Sequence, residues 1–322
     1  MNPRLLLFGL AAAVAVGAWV TTCAAWQLTR VRDRVAPLDS AHFERLTLVT
    51  LGTGDAHENP ARRGPASALG LGDRVVLVDA GRAVADALRL AQIPVTQPDT
   101  VFLTSLLPEN TVGLDDLLFV GWLSGREEPL RVVGPRGTAA LARALEAAHA
   151  PAIAARAAET GLVAAGARLQ VLEIGDGWRE PSEDWSVKAG ALPGGPVEAL
   201  AYRFEAGGRS AVIAGTGWAP EALTAFASGA HLLSHEAIFP FTDELATRLG
   251  IEAALADRLE RETALHTSIE AVGGIARRAG VETLVLVRLR PPPVYDLQLT
   301  GIVGRSFDGD IVIAEDGDRI HP

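Results

Sequence analysis

Short apolar, β-branched runs recur along the chain, each closed by glycine or proline, and stretches of helical spacing lie between them. Leu46–Leu51 is the first predicted strand and stops at Gly52-Thr53-Gly54. Arg74–Val78 is the second, ending in the turn Asp79-Ala80-Gly81. Ala83–Ala91 reads as a helix, Val101–Thr104 and Leu130–Val133 as strands, and Leu117–Trp122 as an apolar helical segment. Gly137–Ala148 is strongly helical, with Leu141 and Leu145 one turn apart. A second series follows, with predicted strands at Leu169–Ile174, Trp185–Ala189, Leu200–Phe204, Ser210–Ala214, His231–Glu236 and Thr283–Arg288. Helices are predicted at Pro220–Ala227 and Ile269–Ala279, and a terminal hairpin strand at Asp310–Ala314. Strands first, then alternating strands and helices, twice over, predict an α/β molecule of two facing sheets with helices outside.

One stretch departs from that rhythm. Leu5–Thr29 carries no charged side chain and is bounded by Arg4 and Arg30. The hydrocarbon core of a membrane needs roughly 20 such residues. The expectation is therefore a membrane anchor or uncleaved signal over residues 1–29, a charged linker over 30–45, and a globular domain over 46–322. A cleaved export signal competes, although its apolar region is ordinarily about 7–15 residues. A lipobox ending at Cys23 also competes, with Thr22 unfavourable before it. A very short tail ahead of a long folded part puts that part on the extracytoplasmic, periplasmic side, against the opposite pull of Arg30, Arg32 and Arg34. Cys23 is the only cysteine, so the sequence offers neither a disulfide nor a thiolate metal site.

Across 322 residues the net charge is -10, which argues against a nucleic-acid surface, since phosphate neutralisation needs clustered Lys and Arg. The chemistry then rests on one segment, Phe102-Leu103-Thr104-Ser105-Leu106-Leu107-Pro108-Glu109-Asn110-Thr111-Val112-Gly113-Leu114, a strand end that turns into a helix. Around it stand Leu51-Gly52-Thr53-Gly54, Asn59-Pro60-Ala61-Arg62, Val76-Leu77-Val78-Asp79-Ala80-Gly81, His235-Glu236-Ala237-Ile238-Phe239 and His266-Thr267-Ser268.

In that order these motifs resemble the ribonuclease Z/arylsulfatase-like branch of the metallo-β-lactamase superfamily, from about Leu46 to the C-terminus. The resemblance implies an αβ/βα four-layer sandwich and a two-metal hydrolase. In that chemistry the metals lower the pKa of a bridging water and clamp a phosphate or sulfate ester. It also implies seven ligand places, the first four in a His-x-His-x-Asp-His turn. Carried over, those four hold Ser105, Leu107, Glu109 and Asn110. The fifth falls at Gly194, the bridging aspartate at Thr216, and the last histidine at Arg288. Zinc favours imidazole, thiolate and carboxylate donors, and Glu109 alone among these residues is an anionic ligand.

The sequence therefore favours a fold that has lost its binuclear zinc and its hydrolase activity, acting as a ligand-binding or interaction module at the membrane for a small anion or a protein partner. No cofactor is expected in that reading. The alternative is a metal-dependent hydrolase of phosphate or sulfate esters with a non-standard mononuclear zinc site drawn from Glu109, His235 or His266. The resemblance makes His266 a proton or hydrogen-bond donor beside the substrate anion, against the plainer reading of a histidine bonded within the fold. Glu236 and His235 would hold the strand beside the site, and Asp79 would cap its turn. A Glu109–Arg288 pair would neutralise the pocket, against the alternative of two solvated charges. His57, near Asp55 and Glu58, borders the pocket on a loop. The short segment between Ala148 and Arg168 leaves no space for the long arm of a tRNA-processing nuclease.

Overall fold

The computed structural model describes residues 3–57, 59–181, 185–215, 217–290 and 296–322, with backbone only at 3–13, 32–35, 181 and 243. The chain divides into two units, residues 1–39 and 40–322. The first holds one helix, α1 (Pro3–Val35). Among the described residues no helix is long and apolar enough to cross a membrane. The membrane anchor expected over residues 1–29 is thus unsupported. Thr21, Thr22, Gln27, Thr29 and Arg30 dilute the described part of α1, and the apolar start of the run, Leu5–Ala13, lies outside the described side chains.

The second unit contains two seven-stranded sheets. In the first, β1 (Phe43–Gly52), β2 (Ala66–Gly72) and β3 (Arg74–Val78) pair antiparallel, and β4 (Thr100–Phe102), β5 (Leu130–Gly134) and β6 (Leu169–Glu173) continue in parallel. The second repeats the scheme. Its strands β7 (Arg179–Pro181), β8 (Ser186–Ala191), β9 (Leu200–Ala206) and β10 (Arg209–Ala214) are antiparallel. Parallel strands β11 (Leu232–Ile238), β12 (Thr283–Arg290) and β13 (Asp310–Ile313) follow. A last short strand, β14 (Arg319–Ile320), returns to β1. The predicted terminal hairpin is therefore corrected: β13 runs parallel to β12, because a helix crosses over between them.

Side-chain alternation builds three apolar layers. Val76 and Val78 of β3 face Phe102, Tyr202, Phe204 and Ile213 between the sheets, whereas Val75 and Leu77 point outward. There they meet Leu88 of α2 (Val84–Leu90) and Leu114, Leu117 and Leu118 of α4 (Leu114–Leu123), which follows the single turn α3 (Pro108–Thr111). In β12, Val285 and Val287 face inward, and Leu284 and Leu286 pack on the outer helices. Those are α6 (Pro220–Phe226), α9 (Ile269–Ala279) and α10 (Asp296–Val303). The remaining helices are α5 (Thr138–Thr160), α7 (Asp243–Leu249) and α8 (Ala253–Thr263). Two mixed sheets with helices on their outer faces match the predicted α/β sandwich.

Candidate active site

Open α/β sheets bind ligands beyond the carboxyl ends of their parallel strands. Here β3, β4, β11 and β12 deliver polar residues to that edge. Asp79, just after β3, sits at φ 63°, a left-handed conformation that a short polar side chain tolerates. The α3–α4 junction presses against the same turn: Gly113 donates its N–H to Ala80 O, and a Cβ there would lie 2.0 Å from Gly81 O. This contact explains the Gly113-Leu114 that closes the segment.

Asp79 anchors a closed network. Its Oδ1 accepts from Thr104 N at 2.8 Å, and the Thr104 hydroxyl lies 2.8 Å from Oδ2. Arg288 Nη2 donates to Asp79 Oδ2 at 2.6 Å, and Nη1 donates to Asn110 Oδ1 at 2.8 Å. Asn110 turns its amide N–H₂ toward Ser105 Oγ at 2.8 Å and Thr104 Oγ1 at 3.1 Å. Burial pushes the Asp79 carboxyl up, opposed by the Arg288 charge and the Thr104 donors. The expected Glu109–Arg288 pair is not formed; Arg288 is neutralised by Asp79. Both carboxylates reach the same sheet edge, but Asp79 is buried and cannot leave its charge in water, whereas Glu109 can.

A second wall comes from β11 and the loop that leads into α9. His266 Nδ1 donates to Glu236 Oε2 at 2.8 Å. Burial lowers the His266 pKa, but the hydrogen bond and charge of Glu236 outweigh it, leaving the imidazole above its ordinary value. Burial likewise raises Glu236, and His266 more than reverses that. Among the described residues His266 Nε2 has no protein partner, and the ring lines the cavity. His235 is different. Its Nδ1 faces the Ala214 carbonyl, which can only accept, so Nε2 takes the Thr267 hydroxyl proton at 2.8 Å. Desolvation lowers its pKa, and it stays neutral inside the core.

Between these walls lies a cavity of about 240 Å³, just under the usual small-molecule range of roughly 300–1,000 Å³. Leu107, Glu109, Glu236, His266 and Arg288 line it, with Trp218, Ile238 and Leu265 as apolar walls. The Glu109 carboxylate has no hydrogen bond or ion pair among the described residues. At the rim, Arg290 Nη1 meets Glu262 at 2.7 Å, and His57 lies 3.3 Å from Glu262 and 3.4 Å from Asp55. Gly194 turns at φ 95° and is not among the lining residues; its neighbour Pro196 is. Thr216 and Glu58 lie outside the described residues. Arg290, Glu262 and Trp218 were not anticipated. Arg290 had a signal, since residues two apart on a strand share a face with each other and Arg288 was already a candidate. Glu262 had none, because α8 was not read as a helix.

No family model matches the chain. It is 29% identical over 284 residues to "Ribonuclease Z" of Mycobacterium sp. strain KMS, covering 86% of this chain and 97% of that protein. With "Ribonuclease Z" of Mycobacterium marinum it shares 28% over 281 residues, covering 85% and 98%. These similarities support the resemblance to the ribonuclease Z-like branch of the metallo-β-lactamase superfamily. The fold agrees. The metallo-β-lactamase fold protein YhfI from Bacillus subtilis superposes with a TM-score of 0.64 at 18% identity, over 85% of this chain and 99% of that one. The short form of human tRNase Z gives 0.62 at 19% identity, over 85% and 98%.

These relatives correct the functional expectation. Nearly the whole globular part is similar to proteins named as ribonucleases, which are hydrolases, so the preference for a member without activity is overturned and the hydrolase alternative is favoured. The two metal ions that the superfamily implies do not fit the donors present. Leu107 and Gly194 offer no donor side chain, Asn110 is committed to Arg288 and Ser105, and Arg288 puts a permanent positive charge among the ligand places. For a mononuclear site, no group of three His, Cys, Asp or Glu among the described residues is placed to hold a metal. His235 is buried away from the cavity, and Glu236 is taken by His266.

Proposed function

We propose that this protein hydrolyses phosphate or sulfate esters in the cavity between β11, β12 and α3. One observation carries the reading: His266 is fixed by Glu236 through Nδ1 and left with a proton-bearing Nε2 for the cavity that Glu109 and Arg288 also line. A histidine whose proton is held above its ordinary value is suited to act as general acid near neutral pH. Glu109, with no other partner among the described residues, serves as general base. A water loses a proton to Glu109 as its oxygen attacks phosphorus or sulfur. The ester bond breaks, and the leaving oxygen takes the Nε2 proton of His266. Arg288 and Arg290 supply positive charge for the anionic group.

The small cavity suits a compact phosphoryl or sulfuryl head. The name of the mycobacterial relatives supports a phosphodiester as first choice, although the acidic composition gives no general nucleic-acid surface. The test is turnover of p-nitrophenyl phosphate, bis-p-nitrophenyl phosphate and p-nitrophenyl sulfate. Hydrolysis of at least one is expected, with a loss of about 10²–10⁴-fold in His266→Gln. Turnover of none, or equal rates in the variant, would remove the proposal.

A further inference from the structure

We infer that the Arg288 guanidinium is a resident cation standing in for the metal ions, so that this cavity binds its tetrahedral anion without metal. The inference rests on the proposed function only for the class of ligand, an anionic ester. Its footing is the placement of one side chain. Arg288 lies two residues before the end of β12, where the superfamily resemblance puts the last metal-binding histidine, and its two terminal nitrogens bond to Asn110, at the fourth ligand place, and to Asp79. Asn110 in turn bonds to Ser105, at the first. The positive head therefore lies among the side chains that would otherwise hold a metal.

Its geometry is that of a receptor rather than an inert plug. A guanidinium has five N–H donors in a rigid fork, suited to tetrahedral oxyanions. Two are used, on Asp79 and Asn110, and among the described residues the other three meet no protein acceptor. The side chain is 9% exposed, and Arg288 lines the cavity. Its backbone supports the same reading. Arg288 sits at φ 52°, with its N–H on Thr53 O. A left-handed long side chain inside a strand is strained, and such strain gathers at functional sites. Charge decides against a metal in the same place, because a dication would meet a fixed guanidinium from which no proton can be removed.

The test uses full-length protein dialysed against chelator, titrated calorimetrically with inorganic phosphate and separately with zinc. Metal-free protein should bind phosphate and take up no stoichiometric zinc. Arg288→Ala leaves Asp79 unpaired and can fail to fold, so the decisive variant pairs Arg288→Met with Asp79→Asn, confirmed as folded by circular dichroism. It should weaken phosphate binding at least tenfold, and Arg288→Lys, which keeps charge but loses the fork, should fall between. Phosphate binding that needs added zinc, stoichiometric zinc uptake, or wild-type affinity in the paired variant would each overturn the inference. So would a metal-free protein that binds no phosphate. Because binding is read without turnover, a protein that binds phosphate but hydrolyses no ester would sink the proposed function and leave this inference standing.

Discussion

Two ion pairs meet at the cavity, carried by the neighbouring strands β11 and β12, and they differ in one respect. In Asp79–Arg288 both partners are sealed, 2% and 9% exposed, and the cation cannot lose its proton. In Glu236–His266 the carboxylate is equally buried, but the imidazole is 28% exposed and can gain or lose its proton, which Glu236 holds more tightly than usual. The first pair can hold charge and cannot move a proton. The second can do both. The fold has separated fixed charge from mobile charge at one cavity, a division that the proposed ester hydrolysis uses.

The largest expected effect lies in the sealed pair. Removing one partner of a buried ion pair strands the other charge and typically costs about 3–5 kcal/mol. Arg288→Ala should lose about that much in chemical denaturation, because Asp79 keeps only Thr104 as donor. The double variant that joins Arg288→Met to Asp79→Asn should cost less than Arg288→Ala alone, since no charge is then orphaned. If the single and double variants melt alike, Asp79 and Arg288 are not coupled and the comparison fails.

The half-open pair should behave in the opposite way. His266→Gln should reduce turnover by about 10²-fold or more with a far smaller change in stability. Its pH signature is specific. The folded protein holds the His266 proton more tightly than the unfolded chain does. That stabilisation is complete below the unfolded value of 6.5 and is lost as pH rises through the higher folded value. Glu236 is held below its ordinary 4.5, so its contribution is complete above 4.5 and is lost as pH falls through the lower folded value. The stability difference between wild type and His266→Gln should therefore be greatest between pH 4.5 and 6.5 and shrink on both sides. A difference independent of pH would show that the pair is not ionised.

How far the sequence foretold this differs between scaffold and site. Strands β1 and β12 were legible because Leu46–Leu51 and Thr283–Arg288 are continuous apolar runs that the fold buries. Strand β2 was not, since Ala66–Gly72 is built of small residues and glycines. Its Gly70 is needed because the Phe43 ring lies across it, where a Cβ would approach within 2.4 Å. Local pattern carries no trace of such a cross-strand contact. At the site, the residues standing at the places the resemblance gives to ligands, Ser105, Leu107, Asn110 and Arg288, could be named one by one. The partner of Arg288 could not, because 209 positions separate it from Asp79 and the sequence offers Glu109 to the same edge. The Glu236–His266 pair could be named but not joined, since tertiary contacts such as the bridge between Ile238 and Ser268 bring the two segments side by side.

The smallest effect belongs to the rim, where charge is neither sealed nor positioned by the core. Glu262 binds Arg290 at 2.7 Å and is held below its ordinary value first by that hydrogen bond. It is 35% exposed, so solvent screens the pair. Exposed pairs are worth about 0.2–1 kcal/mol, so Glu262→Gln should leave stability nearly unchanged. Its effect should appear in the ligand instead. Removing this carboxylate leaves Arg290 only Asp55, at 3.7 Å, and strips one negative charge from the mouth of the proposed anion site. Phosphate affinity should rise by about 1.4- to fivefold, the equivalent of the same roughly 0.2–1 kcal/mol. The gain should vanish toward 1 M salt, where screening acts within about 3 Å. The loss of affinity in the Arg288 variants should persist there, because that charge lies inside the protein. Equal salt sensitivity at both positions would mean that Arg288 is reached by solvent as freely as the rim, and that the cavity has no sealed charge at all.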